Sequence, residues 1–413
     1  MSRALPLLCL TLIALLLVPQ THAQQSLDGW PDWVRESMQD EAKKLKFRTV
    51  KTPDGDIRTK LPGKSKTPMH NEGVWYFVTD IDAGSLIECY LYTMAQDLAM
   101  LTDYMANANV DAVAAQYGSI GTRQIYFLGG GEVAGVPFLA MEWLYSMQNE
   151  DQTLVGFSKV RAAAKGELAY VCAHNNIGYR DTLTRVFEEF VSNAEAPDPT
   201  DPPYYEEIAN VEIDGMSGLS GGVAYVSYTR DDQGYVRAYV AESSLTPVDR
   251  ATVSTSDSFS VTFTTASGEI VNAMNISVEN GEITSDMTLE RNDEGNWVSS
   301  GTLQGKDIAV ALPGDVEPAS ELQQISMARE LFRGDATSVS AKLWMPSFDP
   351  TQFLDTTMTR DDADIERQAI LSLGPLSYTG HFDEDGNMYD ATLAIGPVTV
   401  DIERIWSSGS ISE

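Results

Sequence analysis

The sequence is short of cysteine, histidine and lysine, and each shortage removes a class of chemistry. Of 413 residues three are cysteine, Cys9, Cys89 and Cys172, too few for a disulfide-stapled miniprotein or a cysteine-rich metal domain. Four histidines occur, His22, His70, His174 and His381, each on a different segment, whereas zinc sites take several His or Cys ligands at short spacing. Beyond residue 23 no apolar run approaches the roughly 18 residues of a membrane-spanning helix, so no transmembrane segment is expected. Basic residues number 28 against 60 acidic ones, a formal net charge of -32. Phosphate backbones need a basic surface, and nucleic acid is excluded as a partner.

The shortage of positive charge is uneven. Residues 24–195 carry 23 acids and 16 bases, but residues 196–413 carry 37 acids and 11 bases, with Lys306 and Lys342 their only lysines. Such a surface repels itself in dilute salt and is comfortable in brine, the signature of a halotolerant protein.

What is present begins with a leader. Arg3, the apolar run Leu5 to Val18, Pro19 and then Thr21-His22-Ala23 read as a signal peptide over 1–23, with cleavage before Gln24. Cys9 lies inside the run without a small residue before it, which argues against a lipoprotein anchor. Export to the periplasm or the medium follows, and the scarcity of cysteine fits a bacterial envelope protein.

Four prolines between Ala194 and Pro203 mark a stiff linker. The expected division is an α+β domain over 24–195, a proline-rich linker over 196–203 and a β-rich domain over 204–413. In the first, Asp32 to Lys46 reads as an amphipathic helix, and Val74 to Thr79 and Leu86 to Thr93 read as strands. A Met/Ala/Leu-rich helix spans roughly 95–117, and three or four strands occupy Gln124 to His174. A helix from Asp181 carries Leu183, Val186, Phe187, Phe190 and Val191 on one stripe. The predicted arrangement is an antiparallel sheet with its helices on one face. After the linker, Phe259, Val261 and Phe263 alternate with Ser258, Ser260, Thr262 and Thr264, one dry face and one wet. Hairpin turns fall at Asp232–Gly234, Ser267–Gly268, Asn280–Gly281, Glu294–Gly295 and Asp385–Gly386, so a mainly antiparallel β domain of about eleven strands is expected. One helix interrupts it, from a Ser320 cap to Gly334.

Gly135-Val-Pro137 leading into Phe138 to Tyr145, together with the closing helix Asp181 to Phe187, resembles the PsbP-like α/β sandwich over residues 72–194. That resemblance implies binding or assembly work without catalysis. The late segment, Trp344 through Thr379-Gly-His381-Phe to Asp385-Gly386 and Ala391 to Trp406, is similar to the open β half-barrel of bacterial lipoprotein carriers. This second resemblance implies an apolar groove able to hold an acyl chain.

The candidate chemistry is sparse. Gly218-Leu-Ser220-Gly-Gly222 matches the nucleophile elbow of serine hydrolases in form, but the elbow needs a helix after the serine and Val223 to Tyr228 reads as a strand. A glycine-rich turn is the simpler reading. Cys172-Ala-His174 places a thiol and an imidazole on one side of a strand, a thiol nucleophile or metal pair. Against it, Cys89 and Cys172 are the only cysteines after the leader, both lie in strand-like runs of an exported chain, and a disulfide between them is predicted. Asp383-Glu-Asp385-Gly386-Asn387 has the look of a calcium loop with glycine at the wrong position, so a hairpin turn with weak calcium binding at most is expected. Gly129-Gly-Gly131 lacks the lysine and spacing of a phosphate loop. Lys43, Lys44, Lys46, Arg48, Lys51, Arg58, Lys60, Lys64 and Lys66 form a basic arm that is either solvated or docked on an acidic surface, the second domain or anionic lipid.

These features predict an exported envelope protein that binds or assembles rather than catalyses, with no catalytic, cofactor or metal residues. Its partner would be an envelope protein or an apolar small molecule. The alternatives are a periplasmic carrier of an apolar or acyl ligand, and a secreted hydrolase built on Ser220 or Cys172.

Overall fold

The computed structural model describes residues 45–411 except 83–84, 118–119, 150–151, 167, 179, 181, 196–201, 215–220, 362–366, 375 and 396–397. The leader, the helix expected over 32–46 but for its last two residues, Lys43, Lys44 and most of the linker lie outside the described residues.

β1 (Phe47–Lys51) and β2 (Arg58–Pro62) form an antiparallel hairpin. An eight-stranded sheet follows, built from β3 (Lys64–Ser65), β4 (Met69–Asn71), β5 (Val74–Asp82), β6 (Ser85–Tyr92), β7 (Ile120–Val133), β8 (Val136–Asn149), β9 (Gln152–Lys165) and β10 (Leu168–Ile177). Its order is β3-β5-β6-β10-β9-β8-β7, with β4 also on β5. Helix α1 (Leu98–Tyr117) lies between β6 and β7 in the chain, and α2 (Thr182–Ser192) follows β10.

The remaining strands make one sheet of fourteen. They are β11 (Tyr205–Asp214), β12 (Gly222–Arg230), β13 (Val236–Pro247), β14 (Val253–Thr264), β15 (Ile270–Glu279), β16 (Glu282–Arg291), β17 (Trp297–Leu303) and β18 (Lys306–Leu312). After helix α3 (Glu321–Arg333) come β19 (Ser338–Leu343), β20 (Leu354–Arg360), β21 (Gln368–Leu373), β22 (Leu376–Phe382), β23 (Met388–Ile395) and β24 (Val398–Gly409). Apart from the break at α3, each strand pairs with its successor and β11 pairs with β24, leaving β18 and β19 as the two edges. The five turns expected from glycine each join consecutive strands of this sheet.

The expected fold, an α+β domain with helices on one face of its sheet, is overturned. Among the described residues twenty-four strands and three helices make the molecule mainly β, and α1 and α2 sit on opposite faces of the eight-stranded sheet. Alternation along β9 and β10 is the physical reason. Val160, Ala162, Val171 and Ala173 join the core under α1, while Ala163, Tyr170 and Cys172 join the core under α2. Both faces of these strands are apolar, and a run buried on both sides does not reveal which side a helix will cover.

The two helices differ accordingly. The stripe of α2 meets the sheet at Phe77 and Tyr170, while Val50, Ile57 and Leu61 of the hairpin complete the same core. Thr59 Oγ1 donates to the Phe190 carbonyl at 2.6 Å, tying the hairpin to the helix. Helix α1 has no single stripe because it has no single partner. Ala99, Ala106 and Val110 pack between Trp143 and Val160 of the small sheet and Val223 and Leu245 of the large one. Its alanines let two sheets approach one helix.

The large sheet curls around α3. Leu322 and Ile325 pack on Tyr228, Val236 and Ala238, while Ala328 and Leu331 pack on Val339, Met358, Leu371 and Phe382. Strands from opposite ends of the sheet also meet, since Trp344 Nε1 donates to Ser299 Oγ at 3.2 Å. The face that holds α3 is therefore the inner, concave one. Ser320 caps the helix in a capping box with Gln323, and Gly334 closes it.

Candidate functional site

Register fixes the composition of the inner face. Tyr228, Ala238, Thr262, Ala273 and Leu289 stand opposite one another on successive strands; α3 lies against Tyr228, Ala238 and Thr262, and Ala273 and Leu289 pack with Trp297, Leu312 and Phe353. Two rows along, on the same face, Glu242, Ser258, Ser277 and Ser285 form a second line. On β14 every inward residue carries a hydroxyl: Ser254, Ser256, Ser258, Ser260, Thr262 and Thr264. The wet face anticipated from the alternation is the inner face of a curled sheet. Its dry partners Phe259, Val261 and Phe263 point outward, and Phe263 is 39% exposed.

This hydroxyl wall contains polar atoms that the protein itself does not satisfy. Ser277 and Ser285 are fully buried, Thr264 is 1% exposed, and none of the three hydroxyls has a hydrogen-bond partner among the described residues. Asn275 Oδ1 and Glu321 Oε2 are likewise buried without a partner. Each such atom costs about 1–3 kcal/mol of lost hydration. Glu242 accepts one hydrogen bond, from Ser258 Oγ at 3.3 Å, and no cation pairs with it among the described residues. Burial pushes its carboxyl up to about 6, against the opposing effect of the Ser258 bond. Burial also raises Glu279 and Glu321.

The opposite wall, on β19 to β22, is apolar and is covered by α3. At the C-terminal end of that helix lies a polar cavity of about 230 Å³, where Arg329, Arg333 and Arg367 face Asp383 and Glu384.

The outer face of the large sheet joins the first part of the chain. Asp257, on β14, accepts from the Ala99 amide at 2.9 Å, the Met100 amide at 3.1 Å and Ser243 Oγ at 2.6 Å. It supplies the first turn of α1 with a carboxylate from a strand 158 residues further on. Burial nevertheless lifts it to about 6, outweighing those three bonds. Ile125 donates to the Arg250 carbonyl at 2.7 Å, and Lys165 pairs with Glu206 at 3.2 Å.

Ser220 lies outside the described residues, and Gly222 opens a strand and not a helix. The two glycine-rich motifs meet each other: a Cβ on Gly130 would fall 2.7 Å from the Gly222 carbonyl oxygen. Close approach of two backbones explains both without chemistry. Cys89 and Cys172 stand opposite each other on β6 and β10, joined by a disulfide with Cα atoms 4.1 Å apart, so the Cys172 thiol is not free. His174 is buried, and burial followed by the charges of Lys159 and Arg180 lowers it to about 3, leaving a neutral imidazole. His70 lies tilted against Trp75, with ring centroids 4.5 Å apart, and His381 faces Asp390 at 3.2 Å, so the three described histidines sit on β4, β10 and β22.

Asp383–Asn387 is the hairpin turn between β22 and β23. Asp383 Oδ1 accepts from the amides of Asp385 and Asn387, both at 2.9 Å, and Oδ2 pairs with Arg404 at 2.9 Å. The carboxylate that would lead a calcium loop is thus committed to the turn and to a guanidinium. Among the described residues no three His, Cys, Asp or Glu side chains are grouped to hold a metal. The basic arm becomes the hairpin and β3, with Arg58 paired to Glu195 at 2.7 Å. Sequence reasoning missed Asp257, which resembles any other acid in an acidic chain, and Glu242, which alternation alone puts on the same side as Val240 and Ala238.

No helix of the described residues is long and apolar enough to cross a membrane. No family model matches the chain, and no curated protein does. Among solved structures, a β-barrel-like protein of the domain of unknown function DUF1849 from Brucella abortus is 13% identical over 52% of this chain and 100% of its own, with a TM-score of 0.36. A structure from Bacteroides thetaiotaomicron is 10% identical over 39% of this chain and 52% of its own, with a TM-score of 0.23. The PsbP-like resemblance of residues 72–194 is not shown by these matches.

Proposed function

We propose that this is an exported, noncatalytic binding protein of the cell envelope, in the periplasm or secreted, whose ligand lies against the inner face of the large sheet. The observation that carries this reading is the hydroxyl wall. Ser277, Ser285 and Thr264 are buried without partners on one face, and the edges β18 and β19 of that sheet are left unpaired with each other. Polar groups of this kind are completed by ordered water, an ion or a ligand, and their grouping on one concave face beside Glu242 favours a ligand.

The apolar wall favours a second reading, a carrier for an acyl or other apolar ligand, which requires α3 to leave Met358, Leu371 and Phe382. A hydrolase has less support, because Cys172 is bonded to Cys89 and its neighbour His174 is buried.

Thiol labelling tests the binding reading, since both remaining cysteines are in the disulfide. Ser260→Cys, on the inner face, should be shielded from a maleimide when the protein is isolated from its own compartment and should react once small molecules are stripped. Phe263→Cys, on the outer face, should react in both preparations. Equal reactivity of Ser260→Cys before and after stripping refutes the reading.

A further inference from the structure

We propose that the hydroxyl wall holds an extended organic polyamine, with Glu242 as the counter-ion of one ammonium group and the side-chain oxygens of Ser277, Ser285 and Asn275 as acceptors for nitrogens further along it; this rests on the inner face being the binding surface. The first argument is the kind of atom left unsatisfied. Asn275 Oδ1 and Glu321 Oε2 only accept hydrogen bonds, and the hydroxyls of Thr264, Ser277 and Ser285 can accept. A ligand that completes this wall brings donors. An ammonium group brings three donors and no acceptor.

The second argument is charge. Glu242, Glu279 and Glu321 all belong to the inner face, and none has an ion-pair partner among the described residues. The arginines on this side are already committed: Arg404 pairs with Glu207 and Asp383, Arg291 pairs with Glu317, and Arg360 donates to the Leu331 carbonyl. Arg237 alternates with the inward residues of β13 and points outward, and Arg329, Arg333 and Arg367 gather at the far end of α3 around Asp383 and Glu384. A half-buried carboxylate with one hydroxyl bond and no cation among the described residues is costly until a cation reaches it. An anionic ligand would add to that cost, and a neutral polyol would leave it in place. The surplus of acids in residues 196–413 also draws cations towards the sheet.

The third argument is spacing. Glu242, Ser258, Ser277 and Ser285 lie on four consecutive strands, β13 to β16, in direct register. Neighbouring strands lie about 4.8 Å apart, so the row offers oxygens at a regular interval across the sheet. An extended amine with more than one nitrogen can lie along it.

Isothermal titration of the full chain with spermidine at 0.15 M salt tests the proposal, with sorbitol as the neutral probe. Saturable spermidine binding is expected, with none for sorbitol. Glu242→Gln should weaken binding about tenfold or more, the scale of one charge-assisted hydrogen bond, and Ser277→Ala should weaken it less. Glu403→Gln removes an exposed carboxylate from the outer face and should leave the affinity unchanged. Thermal melts of each variant separate lost binding from lost folding.

Absence of spermidine binding, equal affinity in Glu242→Gln, or an equal loss in Glu403→Gln overturns the amine. If Ser260→Cys is still shielded by the natural ligand in that case, the ligand class is wrong and the binding surface stands. If that shielding is also absent, both fall.

Discussion

On β19 to β22 the inward residues that meet α3 are Val339, Met358, Ala369, Leu371 and Phe382, whereas on β14 they are four serines and two threonines. Both sets face the same interior of one continuous sheet. The difference lies in what each is offered as a partner. The apolar wall has its own helix, which buries Ala328 and Leu331 completely. The hydroxyl wall meets α3 at Thr262, beside Val236 and Tyr228 of the neighbouring strands; further along, Ser258 bonds Glu242 and Ser254 bonds Asn280, but the hydroxyls of Ser277 and Ser285 have no partner among the described residues. One wall is completed by its own helix, and the other keeps polar atoms that the described residues do not satisfy, which is what the proposed binding role requires.

The largest effect expected from this contrast is on the apolar wall. Leu331→Ala should destabilise the protein by about 2–5 kcal/mol, read from urea denaturation, because it empties a packed site. If the loss is negligible, α3 is not the anchor of that wall. On the outer face of β14, Asp257→Ala should cost about 1–2 kcal/mol, since it strips two amides at the start of α1 of their acceptor. The thermal midpoint is the readout, and an unchanged midpoint argues that the two parts do not depend on this contact.

A pH effect follows from two desolvated carboxyls, the half-buried Glu242 of β13 and the buried Asp257 of β14. Glu242 and Asp257 are both raised to about 6 in the folded state, above their ordinary values of 4.5 and 3.8. A group with a raised folded value binds more protons when folded, so its contribution to stability is full below about 4 and is lost as pH rises through about 6. The midpoint should be higher at pH 5 than at pH 7.5, and the gap should narrow in a Glu242→Gln, Asp257→Asn double variant. A midpoint that rises with pH over this window contradicts the assignment. The smallest effect belongs to the hydroxyl wall. Ser277→Ala removes a buried hydroxyl that bonds to nothing, so stability should stay level or rise by up to about 1 kcal/mol. A loss comparable to that of Leu331→Ala would erase the difference between the walls.

Much of the local structure was legible. The turn glycines, the Ser320 cap and the stripe of α2 each obey a rule that acts within a few residues. Cys89 and Cys172 were legible for a different reason, being the two cysteines that lie in strand-like runs, apart from Cys9 in the apolar run of the expected leader. The arrangement of helices on one face was not legible, because Tyr170 to Ala173 is apolar at every position and alternation there has no polar side to read. Nor was Asp257, whose role depends on a helix far away in sequence.

The chain by itself determined its scarcity of positive charge and its strand periodicity, both of which depend on composition or near neighbours. Tertiary structure alone decided which face of each strand points inward. The alternation Ser258-Phe259-Ser260-Val261 is the same whether the sheet curls towards its serines or away from them, and it is the docking of α1 on one side and α3 on the other that turned the hydroxyls inward.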